Sequence, residues 1–164
     1  MRIRFFLFVA ILFFSCGNSE QKALQKVLQL ERVLMLAEDV SSNEALARKV
    51  LEEYTLFLEL YPDADVAPEL YFKSGEILKG LGQYLNAAKA FHQVHTKYKH
   101  TSIAPIALFQ QADCFEAMDQ RKTAKNTYEE FINRYPNHPY TDQAQDMIKL
   151  LHFSDQELIQ KFNQ

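Results

Sequence analysis

Apolar residues recur at spacings of three and four along most of the chain, the rhythm of helices that bury one face. Residues 103–118 and 121–135 keep this rhythm on either side of Asp119-Gln120, and 66–81 and 84–98 keep it around Gly82-Gln83. Upstream, helices are expected over about 21–39 and 43–60, flanking Asp39-Val40-Ser41-Ser42, where Ser41-x-x-Glu44 fits a capping box. After Pro136 a helix is expected over about 140–152, and Ser154-x-x-Glu157 would start a short last one. No stretch alternates apolar and polar residues as a strand does. Prolines fall only in corners or at first helical turns, where a missing N–H costs little. The expected fold is all-α.

A longer period lies over the short one. Tyr61-Pro62, Tyr98-Lys99 and Tyr135-Pro136 are spaced by 37 residues. Seven residues before each tyrosine stand Tyr54, Phe91 and Tyr128; four before stand Phe57, Val94 and Phe131; eleven before stand Val50, Ala87 and Ala124. Pro68 and Pro105 keep the same spacing, as do Phe72 and Phe109. Small and aromatic positions recurring in a fixed order mark a stack of supersecondary units, each burying its apolar face on the next. The pattern predicts an α-solenoid of about three helix pairs with C-terminal capping helices.

The segment from Gly75 to Phe91 resembles the tetratricopeptide repeat: a small residue in the first helix at Gly75 (Ala112 one unit on), a Gly82-Gln83-Tyr84 turn, and Ala87 and Phe91 in the second helix. The closing proline is Pro62 and Pro136 in neighbouring units and Lys99 here. The resemblance spans about residues 44–150. The 37-residue period exceeds the usual 34 or so. With Tyr-Pro between units it is similar to an envelope subgroup: the tetratricopeptide lipoprotein of the β-barrel assembly machinery and the periplasmic tetratricopeptide protein of the Tol-Pal system. The resemblance implies a non-catalytic protein that holds proteins or peptides on a surface lined by the first helix of each pair.

The N-terminus has its own pattern. Met-Arg-Ile-Arg precedes an unbroken apolar run from Phe5 to Phe14, followed by Ser15-Cys16-Gly17-Asn18. Basic residues before such a run make an export signal. As a helix the run is only about 15 Å long, against a hydrocarbon core of roughly 30 Å. Ser15-Cys16 at its end resembles the lipobox of bacterial lipoproteins, in which the cysteine is acylated and becomes the new N-terminus. The expected organisation is a signal peptide over 1–15, a short tether over 16–22 and the repeat domain over 23–164. Lipidation at Cys16 would place the protein on a membrane, with Gly17 rather than Asp after the cysteine favouring an outer membrane facing the periplasm. Two or three acyl chains hold firmly where one does not.

Charge narrows the partners. Losing residues 1–15 removes Arg2 and Arg4 and no acid, leaving 16 bases against 21 acids and a net charge of −5. No basic run exceeds two residues, so neither nucleic acid nor a polybasic grip on lipid is expected. With Cys16 acylated, Cys114 has no disulfide partner and reads as a small buried hydrophobe. His92-x-x-His95 lacks further metal ligands at suitable spacing; register places His95 inward and His92 outward. Glu52-Glu53 and Glu129-Glu130 read as solvated faces. No phosphate loop, G-x-S-x-G or H-E-x-x-H occurs. No cofactor, small-molecule substrate or catalysis is expected.

What remains is a binding surface. The resemblance puts the groove over Phe72 and Phe109, with Glu76, Asp113 and Glu116 beside them. Phe72–Glu76 and Phe109–Asp113 are each four apart and share a helical face. Such a surface would favour a peptide offering apolar anchors and Lys or Arg, in an envelope scaffold or adaptor. Both phenylalanines could instead fill the core between units. In the alternative reading the chain is a structural subunit that works through its terminal helices, the strongly apolar segment 21–39 among them.

Overall fold

The computed structural model describes residues 4–36, 43–151 and 153, with side chains from Ser19 onward. Among the described residues seven helices follow one another: α1 (Arg4–Met35), α2 (Glu44–Leu60), α3 (Ala67–Gly80), α4 (Tyr84–Lys97), α5 (Ala104–Ala117), α6 (Arg121–Arg134) and α7 (Thr141–Leu150). No strand occurs among the described residues. The fold is all-α, and its helix pairs pack in the manner of tetratricopeptide-type repeats. Contacts divide it into two compact units, Met1–Ala67 and Pro68–Gln164.

In the first unit α1 packs on α2. Its buried positions Val27, Glu31 and Leu34 are spaced by four and three, which puts them on one stripe. Glu31 is acidic yet buried because the Tyr54 hydroxyl donates to its carboxylate. Lys26 pairs with Glu53 at 2.6 Å. The backbone of α1 is helical from Arg4, so it runs unbroken through the segment 16–22 expected as a tether. Asn43 stands before α2 without a side-chain capping bond. The expected capping serine Ser41 and the expected helix from Ser154 lie outside the described residues.

In the second unit α4 packs on α5, α5 on α6 and α6 on α7. The Phe72 ring of α3 meets the Phe91 ring of α4 edge to face, centroids 5.3 Å apart. The 37-residue register shows directly in the burial. Val50, Tyr54 and Phe57 in one unit, and Ala87, Phe91, Val94, Ala124, Tyr128 and Phe131 in the other, are each at most 1 % exposed. First helices keep the same register, with Leu70, Ala107 and Ala144 all buried.

Turns and corners repeat as well. α3 ends with Gln83 N donating to Leu78 O at 2.8 Å and Gly82 N to Lys79 O at 2.9 Å. α5 ends alike, with Gln120 N to Phe115 O at 2.9 Å and Asp119 N to Glu116 O at 2.8 Å. This paired closure requires a left-handed residue, here Gly82 at φ 70° and Asp119 at φ 55°. Each Tyr corner is a staircase of bonds three residues apart: Ala64 to Tyr61 and Ala67 to Ala64, Thr101 to Tyr98 and Ala104 to Thr101, His138 to Tyr135 and Thr141 to His138. The corner backbone satisfies itself, which lets it reverse direction in a few residues.

Candidate functional site

The register sets Glu76 of α3 in the place of Asp113 of α5, and Lys79 in the place of Glu116. The structure brings these side chains together. Lys79 Nζ donates to Gln110 Oε1 at 2.8 Å and to the Asp113 carboxylate, so α3 and α5 are tied by one cation. An open cleft of about 350 Å³ is lined by Glu76, Lys79, Gly80, Tyr84 and Gln110.

The charges along this face are not all neutralised. Asp113 is held by Lys79. Surrounding side chains take enough water from Glu76 to raise its carboxyl above the usual range, against the opposing pull of Lys73 and Lys79. Glu116 is raised too, mainly by burial, although it accepts the Tyr128 hydroxyl at 3.1 Å; Asp113 adds to the rise and Arg121 lowers it. Glu76, which is exposed, thus stands beside Lys79, and the half-buried Glu116 stands beside its partner Asp113.

The aromatic half of the expected groove lies deeper. Phe109 is only 7 % exposed and meets the rings of Tyr128, Phe131 and Tyr140 at centroid distances of 5.3, 5.6 and 5.3 Å. Phe72 is half-buried against Phe91. Both rings therefore build the wall under the face, and what faces solvent is the polar set. Lys79, Gln110 and Tyr84 line the cleft with Glu76, and none of the three was expected there from the sequence. Lys79 lies three residues beyond Glu76 and so on the same helical face, a signal that was available.

Elsewhere the second unit holds a histidine pair. His95 is buried and His92 exposed, as their register positions require. Among the described residues no group of three or more His, Cys, Asp or Glu is arranged to hold a metal ion. Burial pushes the Cys114 thiol up to about 11, so it stays protonated. The Cys16 side chain lies outside the described ones.

A stack of antiparallel helix pairs in 37-residue register, with a polar face on its first helices, defines an α-helical repeat protein. The comparison with known families gives the repeat its name. Residues 69–101 and 106–138 each match the tetratricopeptide repeat, and the two stretches are themselves offset by 37. The first corresponds to α3–α4 and the second to α5–α6; the α1–α2 pair lies outside both. No curated protein matches the chain. Among the described residues no helix is long and apolar enough to cross a membrane.

Proposed function

We propose that the chain is a lipid-anchored adaptor of a bacterial envelope that captures protein or peptide partners along the α3–α5 face. The tetratricopeptide repeats support protein binding in general. The observation that carries the particular reading is the acidic set about the Lys79–Asp113 bridge, with Glu76 exposed and Glu116 half-buried. A partner presenting Lys or Arg between apolar residues would complete that face. The test uses immobilised synthetic peptides alternating Leu or Phe with Lys or Arg, and matched peptides carrying Glu instead. The wild type should retain the basic series, less so as salt rises. Glu76→Lys with Glu116→Lys should keep its helical circular dichroism and lose that preference. Asp113 is left alone because it holds Lys79. Equal retention of both series by the wild type would remove the groove.

The anchor belongs to the same proposal. Its support is the placement of Ser15-Cys16 where the apolar run stops. Cys16→Ala should move the protein from membrane to soluble fraction or leave an unprocessed precursor, and radiolabelled palmitate should enter the wild type alone. Absence of label from the wild type would refute the anchor. An outer membrane facing the periplasm is the expected location.

One observation favours a second reading, a structural subunit held by its terminal helix. Leu28, Val33 and Met35 on α1, and Leu36 just after it, are 47 to 82 % exposed. If a partner stays bound to the Glu76/Glu116 double variant in high salt but leaves a Leu28→Ser/Met35→Ser variant, α1 is the interface.

A further inference from the structure

Gln111 is two residues from Asp113 and so leaves α5 on the opposite side from the groove. There it meets His95, which is only 3 % exposed near the end of α4. His95 Nε2 lies 2.7 Å from Gln111 Oε1, and the Gln111 amide nitrogen lies 3.5 Å from His92 Nδ1. An amide oxygen has no proton to give, so Nε2 carries the hydrogen and Nδ1 keeps a lone pair. Arg134 of α6 stands where that lone pair points, one guanidinium nitrogen 3.3 Å from Nδ1. Its other terminal nitrogen donates to the His95 carbonyl at 3.2 Å and to the Tyr135 hydroxyl at 3.3 Å. Glu130, one turn back on α6, accepts from Arg134 at 2.8 Å. Both neighbours of the imidazole thus require the same neutral tautomer.

We propose that His95 is a proton-operated release for the α4–α6 junction: neutral, it accepts Arg134; protonated at Nδ1, it expels the guanidinium. A solvent proton on Nδ1 would place a donor against a donor and a cation against a cation. Arg134 keeps Glu130 on its own helix and so can withdraw from α4 without losing every partner. The groups facing His95 are His92 on α4, the uncharged amide of Gln111 on α5, and Arg134 and Glu130 on α6. Burial, ahead of the charges, holds the imidazole below its ordinary 6.5; His92 and Arg134 push the same way, while Gln111 and Glu130 oppose. The folded chain therefore binds this proton less readily than the unfolded one. The stability that the neutral junction confers is complete above the unfolded value and is lost as pH falls from there through the lowered one. Any effect on partner capture rests on the groove reading, because α5 carries both Gln111 and Asp113. The junction itself does not.

The test is a titration of the whole ¹⁵N-labelled chain from about pH 7.5 to about pH 5, read by imidazole nitrogen shifts and amide hydrogen exchange. At the upper end His95 should show the Nε2–H tautomer. As it titrates, exchange at the Tyr98 and Tyr135 amides, which close the last turns of α4 and α6, should rise about tenfold after correction for intrinsic pH dependence. The Gln83 amide, in the turn between α3 and α4, should not follow. His95→Gln should abolish the response, His92→Gln should retain it, and Arg134→Gln should give fast exchange at both ends. An Nδ1–H tautomer, titration of His95 without a matching exchange midpoint, or a response that persists in His95→Gln would overturn the proposal. Should His95→Gln fail to fold, the tautomer and the coincidence of midpoints in the wild type still decide.

Discussion

Gly75 lacks a side chain because the Phe91 ring already occupies the place where one would begin. A Cβ built there would lie 2.6 Å from the nearest ring atom, closer than carbon atoms approach without displacement. The ring cannot retreat easily, since Phe91 is fully buried among Ala87, Ala88 and Val94. One unit on, Ala112 occupies the equivalent position in the cluster with Tyr128, where a methyl is accommodated. Gly75→Ala should therefore cost about 1–3 kcal/mol, read by denaturant unfolding, although alanine is the better helix former. Gly75→Ala with Phe91→Leu should recover part of that loss, because the smaller side chain clears the methyl. An unchanged unfolding midpoint in the single variant would mean that the ring moves aside freely.

At the scale of the helix, termination is the recurring problem, and the two repeats solve it with different residues. Gly82 adopts its left-handed angle without side-chain cost, and beyond its chain neighbours no residue comes within 4 Å of where its Cβ would be. Asp119 holds the same conformation with a side chain, which strains the backbone. Its carboxylate meets Arg121 at 2.8 Å, an exposed pair of small worth. Asp119→Gly should thus raise stability by about 0.5–1 kcal/mol, measured as a higher unfolding midpoint with the same helical content. A loss of stability would mean that the Arg121 contact outweighs the strain. This is also the scale at which the sequence was most legible. Ala87 and Ala124, or Phe91 and Tyr128, recur at 37 because helices crossing at one angle need the same sizes at the same places. Contacts that join different kinds of position were not legible. Lys79 reaches Gln110 and Asp113 across 31 and 34 residues, neither a whole repeat. His95, Gln111 and Arg134 meet from three helices, and no spacing within one helix announces that. The depth of Phe109 was equally hidden, since a pair four apart shares a face whether that face is inside or out.

For the whole molecule, the second unit repeats itself under one operation. Moving 37 positions along the sequence carries Leu70 to Ala107 to Ala144, Gly82 to Asp119, and Phe91 to Tyr128, each into an equivalent environment. Stacked repeats of this kind advance with a small rotation per repeat, a screw, which makes the unit comparable to a short one-dimensional crystal. A crystal grows by adding a cell whose new surface matches the one it covers. A second copy of residues 104–140, inserted after Tyr140, should therefore fit without redesign, its Ala104 following Tyr140 as the native Ala104 follows Ile103. Its helices should gain one intrinsic stability and one neighbour contact, so the lengthened chain should melt as one transition at a higher temperature. A separate, lower transition would show that the screw is approximate and its errors accumulate. If the cell does propagate, the face carrying Glu76 and Asp113 lengthens with it, and the reach of the protein along a bound peptide becomes a matter of how many cells are strung together.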